Sequence, residues 1–538
     1  MRGLSMVNVE NNDIVILGLK DGHDGAVALI VGNHLEFSVE AEKDNGLRFS
    51  SVTPDALLKV FHMINKPVDI VAQSGWSREL NSESDIIGAG YSGLKKIIHQ
   101  ERSIFGHNVT YFSSSHERSH LLCGYGLSPF PQGQPCYALL WEGYFGAFYR
   151  IDENVNITKL GSALENPGDR FAFLYALADP TFNLGAGQIR LSDAGKLMAL
   201  AAYGENGDLD EDARHIITTL VDKNIDFRKL HKHHFRNSAY YNIGLNNPRF
   251  ASLAYHLSNA IFNLFRDFAQ QLVFDDAPLL IIGGCGLNCD WNSKWKETQL
   301  FSDVFIPPCT NDSGSAIGTA IDALLHTKGL AKVTWSPYAG ELSHSDTDNT
   351  GTFISEPYDT KRVARLLHEG CILGWVQGRY EMGPRALGNR SILAAPYPRE
   401  NLIRLNKIKK REGFRPIAPI CLEECMAEYF CPSNPSPYML EFRKVISASI
   451  PAVTHVDNSA RPQSVNESQN FRIHQLLSAC RAMSGVGVLC NTSLNFSGRG
   501  FINRLSDLYR FASEHELDGF VFEDTLFLHS DRPDENVK

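Results

Sequence analysis

The stretch IVILGLKDGHDGAVALIVGNHLEFSVEAE, residues 14–42, sets the frame in which the rest of the chain is read. Ile14 to Lys20 is a short β-branched run, DGHDG follows, and then come the apolar Ala26 to Val31 and the alternating His34 to Glu42. That pattern predicts three strands with a polar glycine turn after the first. The plan recurs: Tyr137 to Trp141 leads into EGYFG, then Ala147 to Ile151, then Val155 to Leu160. Asp21-Gly22 and Glu142-Gly143 thus occupy equivalent turns in two strand triplets.

A tandem acidic-glycine turn after the first strand is how the actin-like ATPase fold holds a nucleotide between duplicated halves. The expectation is therefore an α/β chain with a duplicated actin-like unit, two unrelated hairpins being the alternative. Between the triplets lies SSSHERSHLLCGYG, in which serines can cap a helix. His116 and His120 then share one face, the geometry two imidazoles need to meet one metal ion, although 19 histidines make a chance spacing of four common. Further on, LLIIGG is a buried strand ending in Gly283 and Gly284, a pair that lets backbone meet a nucleotide face. Asp312 stands before a helix, either as a simple N-cap or as a carboxylate completing the metal site. AGKLMALAAYG places Lys196 where it packs in a core helix or reaches a phosphate, and RKLHKHHFR reads as a solvated basic loop.

At 538 residues the chain exceeds what one core organises, and 43% hydrophobic with 21% charged residues is ordinary globular composition. The formal net charge of -10 argues against nucleic acid as a partner. Eleven cysteines without a C-x-x-C pair fit reduced thiols. MRGLSMVNVENNDIVILGLK has no long apolar segment, and no apolar run reaches transmembrane length. A soluble cytoplasmic protein without a membrane partner is expected; oligomeric state is not readable.

The composition turns polar near GELSHSDTDNTG, which predicts residues 1–340 as one domain, 341–355 as a linker and 356–538 as a second domain. The second opens with a helix over Lys361 to Glu369 and a strand over Ile372 to Gln377. That strand delivers GRYEMGPRALGNRSI, with Arg379, Arg385 and Arg390 among glycines, a segment suited to anions. NKIKKREGFRPIAP adds Lys407, Lys409, Arg411 and Arg415; HVDNSARPQSV adds His455, Asp457 and Arg461; CNTSLNFSGRG adds Asn491, Ser493, Asn495 and Arg499. Polar groups gathered at strand ends from four segments indicate a ligand cleft.

In order and spacing, GRYEMGPRALGNRSIL, NKIKKREGFRPIAP, HVDNSARPQSV and CNTSLN resemble the C-terminal half of the O-carbamoyltransferases that decorate antibiotics and nodulation factors. HDGAVALIV, HERSH, AGKLMALAAYG, GGCGLN and DSGSAIGTA resemble the N-terminal half. SVEAEKD, WEG, LADPTF and NTSLNFSGRG look most like the branch acting on a 3-hydroxymethyl cephem. The resemblance implies a C-terminal YrdC-like domain that makes carbamoyl-adenylate from carbamoyl phosphate and ATP with Mg2+. It implies an actin-like domain that passes the carbamoyl group to a small-molecule alcohol. By the resemblance, Arg379, Arg385, Arg390, Lys407, Arg415 and Arg461 supply cations, and Asn491, Ser493 and Asn495 neutral donors. Lys196, Gly283, Gly284 and Asn288 fall in nucleotide-binding segments. It also implies a divalent metal, Fe2+ with Mn2+ or Mg2+ as alternatives, on His116, His120, Asp312 and Glu142, with His23 as general base. Glu142 stands where many relatives carry Asp, and Ser-Gly-Arg-Gly replaces their usual Arg-Gly-Glu-Pro. Rival readings are a threonylcarbamoyl enzyme acting on tRNA and a non-catalytic actin-like ATP-binding protein.

Overall fold

The computed structural model describes residues 13–75, 90–104, 106–347 and 351–530. The N-terminal dozen residues used above and residues 348–350 of the expected linker lie outside them. Strands β1 (Val15–Lys20), β2 (Ala26–Val31) and β3 (His34–Glu40) form an antiparallel meander. With β4 (Ile70–Ser74), β5 (Ile97–Ile104) and β6 (His107–Ser114) they build a sheet of order β3-β2-β1-β4-β6-β5. A second sheet uses β7 (Cys136–Trp141), β8 (Gly146–Ile151), β9 (Ile157–Ser162), β10 (Leu279–Ile282) and β11 (Val304–Phe305), in the order β11-β10-β7-β8-β9.

The duplication is visible in the pairing. In each sheet an antiparallel triplet is extended by parallel pairing onto its first strand, β1 to β4 to β6 in one and β7 to β10 to β11 in the other. This is the duplicated actin-like arrangement that the two triplets predict. First strands covered on both faces must be largely apolar, as VILGLK up to its final Lys20 and CYALLW are. Helices His116–Leu127 and Ser315–Lys328 fill the layer between the sheets. A Cβ on Gly318 would stand 1.7 Å from Ser119 O, and one on Gly18 2.1 Å from Ala316 O. Only glycine lets these helices pack against each other and onto β1.

The C-terminal half is a mixed sheet of β12 (Phe353–Pro357), β13 (Leu373–Val376), β14 (Arg390–Ala394), β15 (Ala418–Leu422), a small sheet of β16 (Phe430–Cys431), β17 (Arg443–Val445) and β18 (Ser459–Ala460), and then β19 (Gln463–Val465), β20 (Val488–Ser493), β21 (Gly519–Phe522) and β22 (Thr525–His529). The large sheet runs β12-β22-β21-β13-β14-β20-β15-β19. Its core includes Trp375, Ile392, Leu489 and Phe520. Residues just after Gly340 are hydrogen-bonded into this half: Gly340 N donates to Tyr380 O (2.9 Å) and His344 N to Asn503 O (2.9 Å).

A buried polar clamp joins the halves. Lys43 Nζ donates to Glu40 Oε1 (2.9 Å) and Gly383 O (2.8 Å), while Gly383 N donates back to Glu40 Oε1 (2.6 Å). Among the described residues no helix is long and apolar enough to cross a membrane.

Candidate functional site

Two clusters of opposite character are built at the ends of these strands. The first forms where helix His116–Leu127 begins, capped by Ser115 Oγ accepting from Arg118 N (3.0 Å). His116 and His120 lie one turn apart, facing the turn after β7 and the loop leading into helix Ser315–Lys328. His116 Nε2 and His120 Nε2 each stand 3.3 Å from Glu142 Oε2, and Asp312 Oδ1 is 3.3 Å from His120 Nε2 and 3.8 Å from His116 Nε2. One donor atom from each residue falls within 4.8 Å of the others, and all four residues are buried.

The charges in this cluster answer one another. Burial alone would push the His120 imidazole down, but hydrogen bonds to Asp312 and Glu142 raise it to about 9. Burial would raise Glu142, but the His116 and His120 partners bring it down to about 2, and Asp312 likewise falls well below the usual range. Two imidazole nitrogens and two carboxylate oxygens form a donor set suited to Fe2+, Mn2+ or Zn2+, and a divalent cation would displace the proton that His120 holds. The residues therefore fit a divalent metal. Glu142, one methylene longer than aspartate, reaches the same point as the other three.

Two further residues here fall outside the candidates that the sequence singles out. Lys20, fully buried at the end of β1, places Nζ 3.7 Å from Asp312 Oδ2 and donates to His23 O (3.3 Å). Asp24 accepts from Asn311 Nδ2 (3.1 Å) and lies 3.6 Å from His23 Nδ1. Burial, together with the Asp312 charge and against the His23 charge, raises Asp24 to about 6. His23, 42% exposed in its side chain, thus hangs beside the cluster through Asp24 and Asn311. A lysine ending an otherwise apolar strand was the one available signal.

Gly283 has φ 93°, and a Cβ there would lie 2.5 Å from Trp141 O and 3.0 Å from Glu142 Cβ. Its glycine lets β10 pass the Glu142 turn. Around Gly284 the Cβ position is open, so its backbone remains approachable. Asn288 caps helix Cys289–Glu297, its Oδ1 accepting from Trp291 N (3.3 Å).

The second cluster lies where the C-terminal half faces the first, and it corrects the arginine reading. Arg390 is fully buried and spends all five N–H groups on Gln377 O, Asn389 O, Gly378 O and, twice, Asn503 Oδ1. It has no donor left for an anion. Arg379 donates to Glu36 O (2.7 Å) and fastens β3 to the C-terminal half. Glu381 accepts from Leu387 N, Asn389 N and Arg390 N, folding the segment back on itself.

Arg385 differs from these two, donating to Leu287 O (2.9 Å) while its buried Nε has no partner. Arg461 Nε is likewise buried and unpartnered. Burial first, then the charges of Arg461, Arg415 and Arg48, depress Arg385 to about 9; burial and Arg415 and Arg461 do the same to Arg411. Because guanidinium does not deprotonate in practice, these shifts express the cost of burying charge and, second to it, the repulsion of neighbouring cations, both of which a bound anion would offset.

Lys407 is the other correction. Its side chain is 81% exposed and pairs at the surface with Glu516, because the C-terminal turn of helix Glu400–Ile408 points it outward. Lys409 turns inward instead, donating to Ser493 O (2.6 Å), Asn495 O (2.9 Å) and Asn495 Oδ1 (2.6 Å). Burial and the charges of Arg411, Arg415 and Arg48 depress it well below the usual lysine range. Asn495 spends both amide hydrogens on Phe496 O and Arg499 O, and Ser493 Oγ donates to Asn495 Oδ1 (2.6 Å), so these two support Lys409. Asn491 Nδ2 donates to Ala386 O (3.1 Å) behind Arg385. Lys196 stands 3.6 Å from Glu412 Oε1, and Glu412 in turn is 3.8 Å from Arg415, which carries the basic strip across to the N-terminal half. The RKLHKHHFR stretch is more anchored than a solvated loop, since Lys232 is buried and donates to Asp179 O.

Residues 94–321 match the family described as Carbamoyltransferase N-terminus, and residues 364–529 the family described as Carbamoyltransferase C-terminus. The 3'-hydroxymethylcephem-O-carbamoyltransferase of Amycolatopsis lactamdurans is 44% identical over 516 residues, spanning 96% of this chain and 99% of its own length. That of Streptomyces clavuligerus is 42% identical over 517 residues, with the same coverage. Nodulation protein U of Sinorhizobium fredii is 32% identical over 541 residues, spanning 90% of this chain and 94% of its own.

Proposed function

The chain belongs to the carbamoyltransferase family, and from that premise we propose that it carbamoylates a hydroxyl of a small natural product in two ATP-dependent steps. The observation that carries this reading is the presence, on one chain, of a cation pocket with unpartnered buried donors and a separate imidazole-carboxylate cluster.

In the first step, assigned to a YrdC-like C-terminal half (residues 356–538), water releases phosphate from carbamoyl phosphate. The carbamate oxygen then attacks the α-phosphorus of ATP, carried with Mg2+, and expels pyrophosphate. Carbamate is a poor electrophile, and the mixed anhydride so formed supplies the leaving group it lacks. The step crowds anions together, which is where fixed cations contribute most. Arg385, Arg461, Arg415 and Arg411 would hold these phosphates, Lys409 would brace residues 493–495 beside them, and Arg390 and Arg379 would hold the loop that carries Arg385.

In the second step, assigned to residues 1–340, the acceptor oxygen attacks the carbamoyl carbon and AMP leaves. His23 would take the hydroxyl proton, and the Asp24 carboxylate, 3.6 Å from Nδ1, would stabilise the protonated ring by its charge. Gly284 offers approachable backbone to the nucleotide. A divalent metal on His116, His120, Glu142 and Asp312 would supply Lewis-acid chemistry at the carbamoyl carbonyl. Lys20 would hold Asp312 in place.

The similarity to the two cephem enzymes points to a 3-hydroxymethyl cephem as the first acceptor to try. The test is to incubate the protein with ATP, Mg2+ and carbamoyl phosphate under reducing, metal-replete conditions, with and without that acceptor. Carbamoyl-adenylate without acceptor, and a product heavier by one carbamoyl group with it, are the expected masses. Absence of the adenylate would sink the two-step reading. Adenylate without cephem product would move the search to other alcohols.

A further inference from the structure

Between helix Ala41–Asn45 and the turn that carries His23 runs a short strap, residues 46–52, which docks on the C-terminal half. Gly500 N donates to Gly46 O (3.2 Å), and Leu47 bridges to Arg499. The docking is tight: a Cβ on Gly500 would lie 1.8 Å from Glu42 O. The strap therefore abuts the stretch that follows Asn495, the residue that holds Lys409.

At its centre is Arg48, whose Nε pairs with Glu42 Oε2 (3.0 Å) and whose guanidinium lies over the Phe49 ring at 4.9 Å. Its NH1 and NH2 groups make no hydrogen bond among the described residues, and the side chain is 37% exposed. Phe49 has φ 60°, a left-handed conformation that non-glycine residues adopt at a cost. That strain is spent holding Arg48 on one side and an edge-on contact with the His23 ring (6.2 Å) on the other. Beyond it, Gly25 N donates to Ser50 O (2.9 Å) and Val52 N to Asp21 O (3.0 Å).

We propose that Arg48, supplied by the N-terminal half, is a further phosphate-binding residue of the cation pocket in the C-terminal half. The site for the activated donor is then complete only when the strap is docked. The inference rests on the two-step reading given above, which supplies the phosphorylated ligands. The contacts of Gly46 and Leu47 with Gly500 and Arg499 set Arg48 beside the segment that holds Lys409, and its charge adds a small further push to that of burial on Arg385, Lys409 and Arg415. The aim is fixed by Glu42, which engages Nε and leaves the two-nitrogen edge, the one that grips phosphate oxygens in pairs.

The test uses the full-length protein with inorganic pyrophosphate as probe, followed by calorimetry, and then carbamoyl-adenylate formation with carbamoyl phosphate varied. Arg48→Ala, and Arg48→Gln with its stem still packed on Phe49, should each weaken pyrophosphate binding by about tenfold and raise KM more than they lower kcat. Arg48→Lys should recover part of the loss. Wild-type pyrophosphate affinity in both Arg48→Gln and Arg48→Ala would overturn the assignment, as would a loss that Arg48→Lys does not relieve. The failure of the two-step reading looks different: wild-type protein binds pyrophosphate, Arg48→Gln does not, and neither makes adenylate.

Discussion

The imidazole-carboxylate cluster and the arginine-lysine pocket are both polar and largely buried, yet their electrostatics run in opposite directions. In the first, two histidines face two carboxylates, and His120, Glu142 and Asp312 all shift toward their charged forms. In the second, burial first and like charges after it push Arg385 and Arg411 away from their charged forms, and two guanidinium Nε atoms lack partners. The first is content with a proton or a metal; the second is a standing demand for anions. Self-consistency marks a site that holds something small and positive, and frustration marks one that waits for a ligand.

The largest break in this comparison comes from His116→Ala combined with His120→Ala. Removing two of the four proposed ligands should abolish tight divalent-metal binding and lower transfer by roughly a hundredfold or more, read by metal content and product mass. Next, Arg385→Ala and Arg390→Ala should separate although both remove an arginine from one motif. Arg385→Ala should cost on the order of a hundredfold in adenylate formation with little change in Tm. Arg390→Ala strands several buried carbonyl acceptors and should cost about 3 kcal/mol or more of stability, seen in thermal or denaturant unfolding.

A smaller effect is pH-dependent and belongs to the first cluster only. His120 is raised from 6.5 to about 9, so its contribution is complete below about pH 6.5 and is lost as pH rises through about 9. Metal-stripped protein should therefore lose Tm across that window, and protein loaded with a divalent metal should lose less. At the bottom of the scale, Lys407→Ala should change neither adenylate formation nor stability by more than about 0.5 kcal/mol, because the residue faces solvent. A large effect there would return Lys407 to the pocket.

The two clusters also differ in how far residues announce them. Helical spacing of four put His116 and His120 on one face by local geometry alone, whereas Asp312, 192 residues from His120, could be read as a cap or a ligand and was set with them only by the family resemblance. The paired strand triplets, also a local pattern, exposed the duplicated sheet. Arg379 and Arg390 were read as anion ligands because an arginine-rich glycine segment looks alike whether its donors meet phosphate or the chain's own carbonyls. Lys407 and Lys409 differ only in the direction a helix end sends them. Lys20 and Asp24 are single charged residues made meaningful by partners far along the chain, Asp312 and Asn311, and only the lysine's place at the end of an apolar strand hints at this. Arg48 pairs locally with Glu42, and its proposed role comes from the docking of its strap on residues 499 and 500.

The central claim is that the two clusters do separate chemistry, activation in one and transfer in the other. Its most direct test gives Arg385→Ala synthetic carbamoyl-adenylate together with an acceptor alcohol that the wild-type protein carbamoylates. The account predicts that the mutant makes no adenylate from ATP and carbamoyl phosphate yet transfers from supplied adenylate at close to the wild-type rate. Equal failure in both assays, by a mutant with wild-type Tm, would contradict it.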